Sequence, residues 1–256
     1  MISIDTTFIG ERSHPQDEEG INKARYLIAA SYSSGKDVLD IGCGSGYGSA
    51  TLASIGNPQH ITAIDKEAIA IQYAKEHHSS PRITFLQGSL SEQKQNQFDV
   101  VIAHEIIEHI KDDQQFVSEL CRVVRDNGLV LVSTPNKLIS SPHSDTPPNP
   151  YHVREYTPDA FKSILETAFS QVQVSAIMLK NSSAAKVEQE VQSSLIWRMS
   201  SALVQNRTIR TIVNIFPRNL KRQITGEYKI KQKATDFELT TENIESYPYL
   251  YAICRP

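Results

Sequence analysis

Val38-Leu39-Asp40-Ile41-Gly42-Cys43-Gly44-Ser45-Gly46-Tyr47-Gly48 is an apolar run of strand length that enters a turn of four alternating glycines and leaves it in a segment of helical period. Glycine accepts positive φ and lets a ligand approach the backbone, so strand, glycine turn and helix in that order read as a ligand-binding turn. A pyrophosphate is one candidate occupant, and Gly44-Ser45-Gly46 followed by Ser49 matches the dinucleotide pattern in part. Asp40 argues against it. A carboxylate closing the strand repels a pyrophosphate and suits a ligand that presents an ammonium group.

Working outward from this turn, apolar runs alternate with segments of helical period, the pattern of repeated βα units. Strands are expected at His60–Asp65, Ile83–Leu86, Phe98–Ala103, Leu129–Ser133, Val172–Leu179 and Tyr249–Cys254, and helices at Gly48–Ile55, Lys66–His78 and Asp112–Arg125, the last stopped by Asp126-Asn127-Gly128. Thr157-Pro158 opens a further helix, with threonine placed to cap it. The chain thus predicts an α/β fold, a doubly wound, mainly parallel seven-stranded sheet. Residues 1–35 are expected to form an N-terminal lid or helix. Residues 181–245 are expected to form a helical cap inserted before the last strand, all within one domain spanning 1–256. Inside the insertion Val187, Val191, Leu195, Met199 and Leu203 recur every four residues, and Ile209, Ile212, Val213 and Phe216 follow a second amphipathic spacing.

Composition agrees with a globular chain: 256 residues, 39% hydrophobic and 21% charged. Three cysteines without CxxC spacing fit a reducing compartment. No stretch approaches the ~18 apolar residues of a membrane span, and Met1–Asp5 lacks a signal-peptide pattern, so a cytoplasmic location is expected. Charge is uneven. Arg198–Lys233 holds nine Lys or Arg against the single acid Glu227, so that segment carries +8 within a chain of net charge −3. Such a segment is either a solvated basic face or a site for an anionic partner.

Asp65 ends the second strand 19 residues beyond Gly46, where a carboxylate can accept both hydroxyls of a ribose. Lys66 follows it, and Gln87-Gly88-Ser89 would border an adenine. With these residues in view, the chain resembles the class I S-adenosylmethionine-dependent methyltransferases from about Gly10 to Phe169 and again at the final strand. The resemblance is to a bacterial group associated with polysaccharide and glycosyl-transfer pathways. It is carried by Gly10-Glu11-Arg12, Arg25-Tyr26, Val38 to Gly48, Phe98 to His109, Ser133-Thr134-Pro135-Asn136 and Asn149-Pro150-Tyr151-His152-Val153-Arg154-Glu155-Tyr156. It implies a Rossmann-like methyltransferase fold and S-adenosylmethionine as cofactor. It also implies that Asp40, Gly42 and Gly44 surround the methionine part, that Asp65 holds the ribose, and that His104 borders the methyl donor; Gly46, Lys66 and Ser89 are further candidates for the cofactor site. One position departs from the pattern, since Ser89 stands where such enzymes usually carry an acid after the glycine.

His104-Glu105-Ile106-Ile107-Glu108-His109 is the second cluster with chemistry in it. If it is helical, Glu105, Glu108 and His109 share one face. With His152 that face could hold Mg²⁺ or Mn²⁺, and the arrangement resembles the metal site of small-RNA 2′-O-methyltransferases. A histidine base is the competing role, because methyl transfer to a hydroxyl needs only in-line alignment and removal of one proton. The expected catalytic residues are His109, His152 and Glu108. The expected function is O-methylation of a sugar, glycan or glycosylated small molecule, an anionic acceptor among the possibilities. A metal-assisted RNA methyltransferase and a non-catalytic adenosylmethionine-binding module are the alternatives. Nucleic acid is disfavoured because the basic segment lacks interleaved aromatics. Its amphipathic faces could pack on the domain body, on a second copy in a homo-oligomer, or on a membrane surface as a peripheral contact.

Overall fold

The computed structural model describes residues 20–180 and 234–256. In chain order these form α1 (Ile21–Ala30), β1 (Asp37–Ile41), α2 (Tyr47–Ile55), β2 (His60–Asp65), α3 (Ala68–His77), β3 (Ile83–Gln87) and β4 (Phe98–His104). They continue with α4 (Asp113–Val123), β5 (Val124–Pro135), α5 (Lys137–Ser140), α6 (Pro158–Leu165), β6 (Gln171–Leu179), β7 (Phe237–Thr240) and β8 (Tyr249–Arg255). The sheet order is β3-β2-β1-β4-β5-β8-β6-β7. Strands β1 to β5 pair in parallel, and β8 runs antiparallel between β5 and β6.

Strand periodicity sorts the core into two layers. Val38, Val100, Ile102, Leu129 and Leu131 pack with Ala29, Leu52, Ile71 and Ala74 of α1, α2 and α3. The residues between them, Leu39, Val101, Ala103, Val130 and Val132, pack on the other face with Phe116, Val117 and Leu120 of α4 and with Phe161 and Leu165 of α6. Both faces are covered, which is why these strands read as near-continuous apolar runs. Burying one such side chain contributes about 1.5–3 kcal/mol. That packing is what holds α2, whose nine residues are too few for a stable isolated helix. Capping agrees with the sequence at α6, where the Thr157 hydroxyl accepts the Ala160 amide. At α4 the Asp112 carboxylate accepts from Gln115.

Three expectations change. The sheet has eight strands rather than seven, because Phe237–Thr240 forms the edge strand β7. That strand lies inside the segment 181–245 expected to form a helical cap. The chain divides into two compact units, residues 1–177 with 233–256 and residues 178–232. The two amphipathic stretches and the basic run of the second unit lie outside the described residues, as do residues 1–19. The helix expected over Asp112–Arg125 ends at Val123, and Asp126-Asn127-Gly128 bulges within β5 instead of terminating a helix. The register of β5 on β4 jumps there from Phe98↔Val124 to Val100↔Leu129. Tertiary contacts hold the bulge: Arg125 pairs with Asp99 at 2.7 Å and Asp37 at 3.2 Å. Gly128 lies so close to the Asp99 carbonyl that a Cβ would stand 2.7 Å from it.

Candidate active site

β1 lies between β2 and β4, so the connections leaving β1 and β4 diverge and a crevice opens over their carboxyl ends. The glycine turn occupies one side of it, with Gly42, Gly44 and Gly46 all at positive φ. Gly46 is fixed by space as well as by φ: a Cβ there would meet Ala74 at 2.7 Å and the Phe85 ring at 2.8 Å. A cleft of about 200 Å³ at this crevice is lined by Gly42, Cys43 and Gly44 and by His104, Glu105, Glu108, His109 and His152, with Arg25 and Tyr26 of α1 closing one wall.

Neither of the expected donor-side carboxylates is among the residues that line this cleft. Asp40 is fully buried, accepting from the Ser49 hydroxyl at 2.5 Å and the Tyr26 hydroxyl at 3.3 Å. Burial pushes its carboxyl up to about 7, against the opposing pull of those two hydrogen bonds. Tyr26 reaches Asp40 by passing against Gly48, in space that any Cβ there would fill. Asp65 is 9% exposed and accepts the amides of Gly44 and Glu67, each at 2.9 Å, so it ties the glycine turn to the end of β2. Its remaining lone pairs still allow it to accept ribose hydroxyls. Lys66 extends into solvent beside Glu67. Ser89 bonds Ser91 and Glu92, and the Glu92 carboxylate stands against Gly88, where a Cβ would be 2.7 Å from it. A carboxylate thus stands beside Gly88, contributed by Glu92 three residues after Ser89.

On the opposite wall, the stretch after β4 is not the helix that would align Glu105 with Glu108 and His109. Glu105 takes positive φ, and only Ile107–His109 form a single 3₁₀ turn. Glu105 instead turns to the Ser133 hydroxyl (2.9 Å) and Arg25 (3.2 Å). Glu108, His109 and His152 do converge, with one potential ligand atom from each lying within 4.8 Å of the others. The tautomers follow from their partners. His109 Nδ1 lies 3.0 Å from the Tyr151 carbonyl, which can only accept, so Nδ1 carries the proton and in the neutral ring Nε2 holds the lone pair. Nε2 is 3.9 Å from the buried Glu108, whose other oxygen accepts from Thr134. For His152, the Asn149 side-chain oxygen accepts the Tyr151 amide, which turns the Asn149 amide nitrogen toward His152 Nε2 at 2.9 Å. His152 therefore donates from Nδ1 to Glu155 at 3.0 Å. Glu155 is nearly buried, and hydrogen bonds from His152, Ser140 and Ser141 outweigh that burial and hold its carboxyl below the usual range. The His152-x-x-Glu155 spacing was the sequence signal for this partner. His104 is neutral, its basicity lowered first by burial and then by Arg25, and Nε2 meets the Tyr251 hydroxyl at 3.3 Å.

The profile of a methyltransferase domain family matches residues 32–193. The chain belongs to the class I S-adenosylmethionine-dependent methyltransferases. A probable S-adenosylmethionine-dependent methyltransferase of Mycobacterium tuberculosis is 36% identical over 166 residues, 62% of this chain and 59% of that protein. The chain thus spans under two thirds of that relative's length. A ubiquinone biosynthesis O-methyltransferase of Rickettsia canadensis is 38% identical over 107 residues, 40% of this chain and 44% of that protein. Among solved structures, Haemonchus contortus phosphoethanolamine N-methyltransferase 2 in complex with S-adenosyl-L-methionine superposes with a TM-score of 0.56 at 20% identity, covering 93% of this chain and 53% of that one. The [4+2]-cyclase SpnF gives 0.56 at 15% identity, covering 91% and 80%. At these identities the likeness is one of fold, and a shared fold does not fix the reaction.

The residues present fit the donor that members of this family use. The positive-φ glycines form a cradle at the switch point, and three buried polar atoms of residues in the cleft wall, His104 Nδ1 and Arg25 Nε and Nη2, have no hydrogen-bond partner among the described residues. Buried polar groups are nearly always paired, so orphans facing a cleft mark a ligand's place. None of the described helices is long and apolar enough to cross a membrane.

Proposed function

We propose that this chain transfers a methyl group to a hydroxyl of a sugar, glycan or glycosylated small molecule, with His109 as the base. The observation that carries the proposal is the tautomer of His109, whose Nδ1 proton is held by the Tyr151 carbonyl so that Nε2 is the proton acceptor on the cleft wall. When bound, S-adenosylmethionine supplies an electrophilic methyl on a sulfonium leaving group. The protein must then align the hydroxyl and take its proton. Glu108, 3.9 Å from Nε2, attracts that proton once it has arrived. His152 is the weaker candidate for this step, because Asn149 already donates to its Nε2. The hydroxyl acceptor is also consistent with the ubiquinone biosynthesis O-methyltransferase among the partial relatives. An anionic acceptor drawn by the basic segment and a cytoplasmic setting belong to the same reading.

A second reading has a specific observation behind it. Glu108, His109 and His152 could hold a divalent cation. Each imidazole has Nδ1 anchored by an acceptor, as metal-binding histidines do. A cation there would polarise the acceptor oxygen, and Asn149 would have to release His152. Incubating the protein with labelled donor and separate pools of glycans, nucleotide sugars, phenols and RNA tests the acceptor. Label in a hydroxyl-bearing sugar pool that survives prolonged chelation supports the histidine-base reading. Activity abolished by EDTA and restored by Mn²⁺ replaces it with the metal reading, and donor binding without transfer to any pool favours a binding module.

A further inference from the structure

Asn149-Pro150-Tyr151-His152 forms a β-turn, closed by the His152 amide on the Asn149 carbonyl at 3.1 Å. Asparagine at the first position and proline at the second are residues that such turns select, and the Asn149 side chain accepts the Tyr151 amide at 3.1 Å. Nothing in the turn calls for an aromatic third residue. Tyr151 is nonetheless 66% exposed, more than any other large apolar side chain among the described residues. Its ring and hydroxyl have no hydrogen-bond or ring partner among those residues.

This exposure is not that of a loose loop tip. The Tyr151 carbonyl accepts His109 Nδ1 at 3.0 Å, and the Val153 amide donates to the Glu108 carbonyl at 2.8 Å. Arg154 pairs with Asp113 and donates to the Lys111 carbonyl at 2.6 Å, while the Tyr156 hydroxyl donates to Asp113 at 2.8 Å. The ring is thus carried on backbone bonded to the same imidazole that lines the cleft. With the glycine cradle given to the donor, an acceptor hydroxyl at His109 Nε2 belongs to a molecule whose other atoms leave the cleft along this outer wall. That wall offers one apolar ring beside the polar side chains of His109, Asn149 and His152. A wholly apolar chain would leave those polar groups without partners. A sugar ring carries hydroxyls at its edge and C–H groups on its face, and the slightly positive C–H groups complement the negative face of an aromatic ring. One aromatic surface with a few polar groups beside it is also how small-molecule sites fix orientation.

We propose that Tyr151 is the stacking platform of the acceptor site, its ring covering the C–H face of a sugar while one hydroxyl of that sugar meets His109 Nε2. This rests on the reading of the acceptor as a sugar or glycan, and it names a side chain that selects it.

Turnover of wild type, Tyr151→Phe and Tyr151→Ala with labelled donor, over serial dilutions of the glycan, nucleotide-sugar and phenol pools, separates the outcomes. Neither substitution removes the backbone carbonyl that holds His109. Tyr151→Ala should raise the half-saturating concentration of a sugar pool about tenfold, with the plateau rate and the calorimetric donor affinity near wild type. Tyr151→Phe, which keeps the ring, should stay within about twofold of wild type. An unchanged half-saturation in Tyr151→Ala overturns the proposal. An equal rise in both variants also overturns it, because the hydroxyl rather than the ring would then make the contact. If Tyr151→Ala instead loses plateau rate and donor affinity together with thermal stability, the ring is part of the fold and the platform is wrong. Wild type that labels neither sugar pool fails the sugar reading itself and the platform with it, a result distinct from sugar labelling that ignores Tyr151.

Discussion

The two walls of the crevice use carboxylates in opposite ways. On the glycine-turn side, Asp40 and Asp65 are occupied by the protein itself, the first by Tyr26 and Ser49 and the second by the Gly44 and Glu67 amides. They brace the turn from beneath. On the histidine side, Glu108 stands behind an imidazole whose tautomer a backbone carbonyl sets, and Glu155 orients a second imidazole. The acids on the first wall make shape, and those on the second set where protons reside. Residue type and spacing alone do not separate these roles, because a carboxylate's chemistry is decided by which donors reach it.

The largest expected effect falls on the histidine wall. His109→Ala should lower turnover roughly 10² to 10⁴-fold with donor affinity near wild type, whereas His152→Ala should lower it less. Equal losses in both variants, together with sensitivity to chelation, would erase the distinction between the imidazoles and favour a shared cation. On the glycine-turn wall the expected effects are on stability. Gly48→Ala forces a Cβ into the Tyr26 ring, so it should destabilise the fold by about 1–3 kcal/mol in denaturant titration. An unchanged midpoint would mean that Tyr26 is not held against the turn.

A subtler test concerns Asp40. Its carboxyl is raised by burial to about 7, so the folded chain favours the protonated acid. The stability this contributes is complete below the ordinary carboxylate value of about 4 and is lost as pH rises through about 7. Wild type should therefore become less stable between about pH 5 and pH 8, and Asp40→Asn should flatten that slope. A slope equally steep in the variant would assign it to another group and remove the contrast between a bracing acid and a titrating one.

Much of the fold was legible in the sequence, since the strands from Val38 to Leu131 alternate between two covered faces and glycine marks the turn between β1 and α2. The misreadings share a cause. Asp126-Asn127-Gly128 carries a local turn signal, but a contact with Asp99, distant in sequence, made it a bulge. Glu105 matched a helical spacing, but its positive φ after β4 sent it to Arg25 rather than to Glu108.

The sequence by itself determined the order of strands and helices, the place of the glycine turn and the position of Glu108 and His109 just after the fourth strand, because hydrophobic period and glycine are local properties of the chain. Only the tertiary structure decided that Asp40 lies under Tyr26, that Asn149 and Tyr151 fix two histidine tautomers, and that Arg25 on α1 meets Glu105 at the cleft wall. Each of these depends on groups far apart in the chain meeting within hydrogen-bond distance, and no periodicity of the sequence encodes such a meeting.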